Sequence, residues 1–97
     1  MKNLALLKLL RTPFDDEGAE ALKGWVSLKE LYLPDTRITD LGLASIATLQ
    51  NLEVVYLERT KVTAAGVAKL KAAIPKCNIV VSPEIQAELG RMQKGQR

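Results

Sequence analysis

The chain of 97 residues contains no histidine, a single cysteine and only four aromatic side chains, Phe14, Trp25, Tyr32 and Tyr56. Each scarcity removes a class of function. Without histidine there is no Ser-His-Asp or Cys-His relay. One cysteine, Cys77, makes neither an internal disulfide nor a cysteine metal cluster. No stretch approaches the ~20 apolar residues that span a bilayer. The opening MKNLALLKLL has a positive charge and an apolar run, but Lys8 interrupts the run and Thr12-Pro13-Phe14-Asp15 is a poor cleavage site. These absences predict a cytoplasmic protein that is not an enzyme, holds no cofactor or metal and does not engage a membrane.

Charge of one sign is also scarce. The formal net charge is +3, but Arg91, Lys94 and Arg97 carry that excess, and the remaining 11 basic side chains equal the 11 acidic ones. Nucleic-acid binding usually demands a basic face, so a balanced body with a short basic tail makes that partner an unfavoured one. What the chain does have is aliphatic side chains. Apolar residues make up 47% of it, mostly Leu, Ala, Val and Ile, which predicts a core of aliphatic layers in one domain.

Those aliphatic residues repeat. Displaced by 24 residues, Leu4, Leu28 and Leu52 coincide, as do Leu7, Leu31 and Val55, and Leu9, Leu33 and Leu57. Thr12, Thr36 and Thr60 follow, then Phe14, Ile38 and Val62, then Gly18, Gly42 and Gly66. No insertion is needed, and Ile79 and Val81 continue the phase into a fourth, partial copy. The head of each unit alternates apolar and polar residues, the period of a strand. Asp15, Thr39 and Thr63 stand at one phase and are good helix N-caps, with Asp16, Glu17 and Asp40 favourably placed in the first helical turn. Leu43, Ile46 and Leu49 then follow with helical spacing.

A 24-residue unit headed L-x-x-L-x-L resembles the leucine-rich repeat, with Thr12, Thr36 and Thr60 in place of the usual Asn or Cys. The unit LKELYLPDTRITDLGLASIATLQN most resembles short bacterial repeats related to the cysteine-containing subtype of F-box adapters. The resemblance covers about residues 4 to 82. It implies an α/β solenoid with a concave parallel sheet, convex helices and about three and a half repeats, near 4–27, 28–51 and 52–75. One such turn cannot bury its own apolar face, whereas stacked turns bury a continuous core. Two features of the unit carry packing expectations. A helix glycine costs ~1 kcal/mol relative to alanine, so three at one phase predict a close neighbouring backbone. The threonine hydroxyls are expected to bond backbone groups of adjacent turns.

The ends differ. Ser82-Pro83-Glu84 reads as an N-cap, a first-turn proline and an acid, opening a capping helix over residues 83–90 that Gly90 ends. Residues 91–97 are expected to fray. At the other end the first strand has no such cover, which points to a section of a longer solenoid, to self-association through that edge or to an edge exposed without consequence.

Residues between the buried leucines point to the concave face. By phase these include Lys8, Leu10, Glu30, Tyr32, Val54, Tyr56, Glu58 and Val80, with Lys8, Tyr32, Tyr56 and Val80 in one row. Stacked tyrosines flanked by lysine and aliphatics form a reasonable contact patch for a protein or peptide, although tyrosine also simply suits a half-exposed strand. Arg11, Arg37, Arg59 and Lys61 cluster in the loops that leave the strands, with Asp35 among them. They read as a solvated edge or as a basic rim for an acidic partner or phosphate. Cys77, in IPKCNI, is read as a small buried residue rather than a nucleophile.

Overall fold

At the head of each 24-residue unit the chain forms a strand of three residues, followed by a helix. In the computed structural model, which describes residues 4–94 (92–94 by their backbone), the order is β1 (Leu6–Lys8), α1 (Asp16–Ala21), β2 (Glu30–Tyr32), α2 (Asp40–Ile46), β3 (Val54–Tyr56), α3 (Ala64–Ala73), β4 (Asn78–Val80) and α4 (Pro83–Lys94). The strands form one parallel sheet in the order β1-β2-β3-β4, so every connection is a helical crossover to the next strand. Each pairing matches residues 24 apart: Leu7 with Leu31, Leu31 with Val55, Val55 with Ile79.

The core lies between sheet and helices and has the layered form expected of it. Leu28, Leu31, Leu33 and Ile38 of the second unit are completely buried, as are Ile46, Leu49 and Val55. Fully burying a side chain of this size stabilises by ~1.5–3 kcal/mol relative to exposure. The sheet ends at β1, beyond which no strand pairs among the described residues, and Leu7, Leu9 and Phe14 there are only partly buried.

Strands stop where the backbone turns into the left-handed region. Arg11, Asp35 and Arg59, again 24 apart, have φ of 56°, 61° and 56°. A non-glycine residue adopts this conformation only where its surroundings hold it. Here the holding is a backbone ladder, from the Arg11 N–H to Pro34 O at 3.0 Å and from the Asp35 N–H to Glu58 O at 3.0 Å. Each following threonine closes the turn. Thr12 donates to Leu9 O, Thr36 to Leu33 O and Thr60 to Leu57 O. The hydroxyls therefore bond carbonyls three residues back within their own turn, not the adjacent turns expected of them. The left-handed residue just before each threonine folds the chain back on itself, which brings that local carbonyl closest.

Helix starts fall where the capping residues predict. Asp15, Thr39 and Thr63 are the N-caps of α1, α2 and α3, with side chains accepting from the Gly18, Leu41 and Gly66 amides respectively. The first-turn acids do more than favour their own helix dipole. Asp16 Oδ1 accepts the Thr39 N–H at 2.7 Å and the Gly42 N–H at 3.0 Å, and its Oδ2 accepts the Thr39 hydroxyl. Asp40 does the same for Thr63, through its N–H at 2.8 Å and its hydroxyl. Each acid thus caps the helix after its own, linking neighbouring units by charge-assisted hydrogen bonds.

That ladder explains the helix glycines and corrects one expectation. What crowds them is side chain, not backbone. A Cβ at Gly42 would lie 2.5 Å from Asp16 Oδ1 and 2.6 Å from Ile38 Cγ1, and one at Gly66 would lie 2.7 Å from Asp40 Oδ2. At Gly18, where no preceding acid arrives, the Phe14 ring takes the space at 2.8 Å.

A second correction concerns α4, which continues through Gly90 to Lys94 instead of ending at the glycine. Glycine ends a helix by turning left-handed, and among the described glycines only Gly24 has a positive φ. The segment expected to fray from residue 91 is therefore helical as far as Lys94, and 95–97 lie outside the described residues. Ile85 and Leu89 pack against the core, as a capping helix requires. The Ser82 hydroxyl, expected to cap α4, accepts the Arg59 N–H at 2.8 Å.

Candidate functional site: the outer sheet face and its loop rim

Strand parity divides the sheet into an inward face of leucine and valine and an outward face. On the outward face the 24-residue register aligns Leu6, Glu30, Val54 and Asn78 in one row and Lys8, Tyr32, Tyr56 and Val80 in the next. Leu10, Pro34, Glu58 and Ser82 extend it by phase. All eight residues singled out from the sequence therefore stand on one surface. Lys8 and Leu10 are exposed and the other six are intermediate, with Leu10 at 40% exposure and its neighbour Leu6 at 41%. Exposed aliphatics on a strand are a liability unless something covers them.

The middle row is internally ordered. The Tyr32 and Tyr56 rings stack with centroids 4.5 Å apart and an interplanar angle of 10°. Lys8 Nζ lies 5.1 Å from the Tyr32 centroid, within cation–π range, on the β1 side. Tyr32 is thus covered on both ring faces and Tyr56 on one, so the row presents mostly ring edges and hydroxyls. Its chemistry suits edge contacts and hydrogen bonds rather than a ligand that stacks on Tyr32. The Tyr32 hydroxyl donates to Glu30 Oε1 at 2.9 Å, and this bond, with some burial and the charge of Glu30, raises the Tyr32 pKa above its ordinary value. Glu58 Oε1 is buried with no hydrogen-bond donor among the described residues. Such a carboxylate oxygen is costly to leave unmatched.

At the C-terminal ends of the strands lies the rim. Arg59 grips Asp35 with two parallel bonds, Nε to Oδ1 at 2.8 Å and Nη2 to Oδ2 at 2.9 Å. The Arg59 hydrogen bond holds the Asp35 carboxyl below its ordinary pKa. This pairing was not legible in the sequence beyond the shared phase of Asp35 and Arg59.

Cys77 is completely buried, and burial pushes its thiol pKa up, against a smaller lowering effect of Lys71. That is the environment of an inert structural cysteine. In the run Asp15-Asp16-Glu17, Asp15 and Asp16 are occupied by helix capping and Glu17 stands in the first turn of α1. Sequence reasoning missed one feature of the opposite surface. Between α2 and α3 the small side chains Ala44, Ala47 and Ala65 leave an apolar groove of about 320 Å³, beside Leu41, which is 78% exposed. No helix among the described residues is long and apolar enough to cross a membrane. Compared with the models of known families and with curated proteins, the chain matches none.

Proposed function

We propose that the chain is a leucine-rich-repeat solenoid that acts as a protein-binding module, taking a protein or peptide on the outer, concave face of its sheet. Support for the solenoid comes from the constant 24-residue register of all strand pairs, the sequential strand order and the elongated dimensions of 42 × 24 × 18 Å. The observation that carries the binding role is the ordered row Lys8–Tyr32–Tyr56, flanked by the exposed Leu6 and Leu10. Tyrosine edges and hydroxyls held in place lose little entropy on binding, the property that enriches tyrosine at hot spots. Four short strands offer a small face, so an interface near the low end of the ~1,200–2,000 Å² range is expected.

The test is retention of a partner by wild type beside Y32S/Y56S, with folding of both checked by circular dichroism. A partner held by wild type and lost from the folded double variant supports the sheet face. Equal retention by both sinks it.

A second reading is favoured by the partial exposure of Leu7, Leu9 and Phe14 at the β1 edge. On this reading the chain is a terminal section of a longer solenoid or self-assembles through that edge. Light scattering across a concentration series distinguishes it: mass that rises with concentration and returns to the monomer in L7K supports edge association, and a constant monomer mass removes self-assembly.

A further inference from the structure

The loops that leave β1, β2 and β3 line a shallow, open cleft of about 620 Å³ bordered by Arg11, Arg37 and Arg59, with Asp35 among them. Three left-handed residues, Arg11, Asp35 and Arg59, project from successive strands at the same backbone angle, so their side chains form a row of plus, minus and plus. Asp35 already occupies part of this row as a built-in anion. Its bidentate grip by Arg59 is the geometry with which a guanidinium holds any carboxylate or phosphate. Arg37 forms no ion pair or side-chain hydrogen bond among the described residues and Arg11 acts on Asp35 only through its charge, so one carboxylate faces three guanidinium groups in the cleft. The Thr12 and Thr36 hydroxyls that also line it give their protons to Leu9 O and Leu33 O. The guanidinium groups are therefore the side-chain donors left facing the cleft, which selects an anion over a neutral polar ligand.

We propose that this cleft is an anion-recognition site for a doubly negative group, a phosphate monoester or a pair of carboxylates, carried by an extended peptide. Assignment to a peptide rests on the sheet-face reading above; the anion site itself does not. Arg11, Asp35 and Arg59 directly follow Leu10, Pro34 and Glu58, the last row of the sheet face, so a chain lying along the strands runs into the cleft. The charge balance of the body favours a peptide over a nucleic acid, whose backbone needs a longer basic track.

The experiment is an amide-shift titration of the whole chain by NMR at constant ionic strength, with inorganic phosphate, phosphoserine and succinate as probes and sodium chloride as the blank. Saturable shifts at Arg11, Thr12, Asp35 and Arg59 are expected with the dianions and not with chloride, and R11Q/R37Q removes them. The sharper variant is D35N. Asparagine tolerates the left-handed backbone, and losing the built-in carboxylate frees Arg59. Dianion affinity should therefore rise about two- to fivefold, the range of an exposed ion pair. Non-saturable shifts, equal shifts with chloride, or weaker binding by D35N overturn the site. Tighter binding of phosphoserine than of succinate assigns the phosphate monoester, and the reverse assigns paired carboxylates. A single-stranded oligonucleotide that binds more tightly than phosphoserine, with steep salt dependence, overturns the peptide assignment. Y32S/Y56S should leave the titration unchanged. A failed titration with Tyr-dependent partner retention intact sinks this inference alone, and the opposite pair of results sinks the sheet-face reading and the peptide assignment with it, leaving the anion site.

Discussion

Leu7, Leu9 and Phe14 hold in the first unit the places that Leu31, Leu33 and Ile38 hold in the second, yet the first three are partly buried and the second three completely buried. Side-chain type and phase are nearly the same in both. What differs is the number of neighbours, since among the described residues β2 is paired on both sides and β1 on one. In a stacked architecture burial is conferred by adjacent units, so equivalent residues contribute unequally to stability.

The largest effect that tests this comparison is truncation at equivalent sites. Leu31→Ala should cost ~2–5 kcal/mol, as for other enclosed leucines, and Leu7→Ala less than half as much. Urea unfolding of both variants measures it, and equal losses would break the comparison.

Glycines sharpen it next. Gly66→Ala forces the Asp40 carboxylate from its place over Thr63, and Gly42→Ala displaces Asp16 and Ile38. Each should destabilise by about 1–3 kcal/mol despite the better helix former. Nothing lies within 4 Å of a Cβ at Gly90, so Gly90→Ala should stabilise by ~0.5–1 kcal/mol. Thermal midpoints of the three variants give the order, and a stabilising Gly66→Ala would remove the crowding argument.

Smaller again is the inter-unit cap. Asp40→Ala leaves the Thr63 N–H and hydroxyl without their acceptor and should cost ~1–2 kcal/mol, concentrated in faster amide exchange at the start of α3. Uniform exchange across α3 would contradict the capping role.

The smallest effects are electrostatic. Asp35 has a folded pKa below its unfolded value, so its contribution is complete above about pH 4 and fades as pH falls through the lower folded value. D35N should therefore lose slightly in stability at neutral pH and match wild type at low pH, as chemical denaturation against pH would report. Tyr32 is shifted upward, so its contribution is complete below about pH 10 and is lost as pH rises through the folded value. Tyrosinate absorbance should show a late-ionising component that Y32F abolishes.

Much of the architecture was legible because it is periodic. The phase of Leu31 and Val55 announced the strand register, and Asp15, Thr39 and Thr63 announced the helix starts, since capping depends on residues a few positions apart. The row of Lys8, Tyr32, Tyr56 and Val80 was readable for the same reason: parity and a fixed repeat place side chains without knowledge of packing. The glycines, the threonines and the end of α4 were not. Their roles depend on which atoms arrive at a given point in space, and identical phase does not reveal whether a carboxylate, a ring or a backbone arrives there.

The sequence by itself determined the repeating order of strand and helix, the composition of each aliphatic layer and the candidate contact row, because local periodicity sets which face a residue takes. Only the tertiary structure decided that Asp16 and Asp40 cap the helix of the following unit and that Arg59 grips Asp35 across strands. Those outcomes join residues 23 to 26 positions apart, which is a matter of distance in the folded chain.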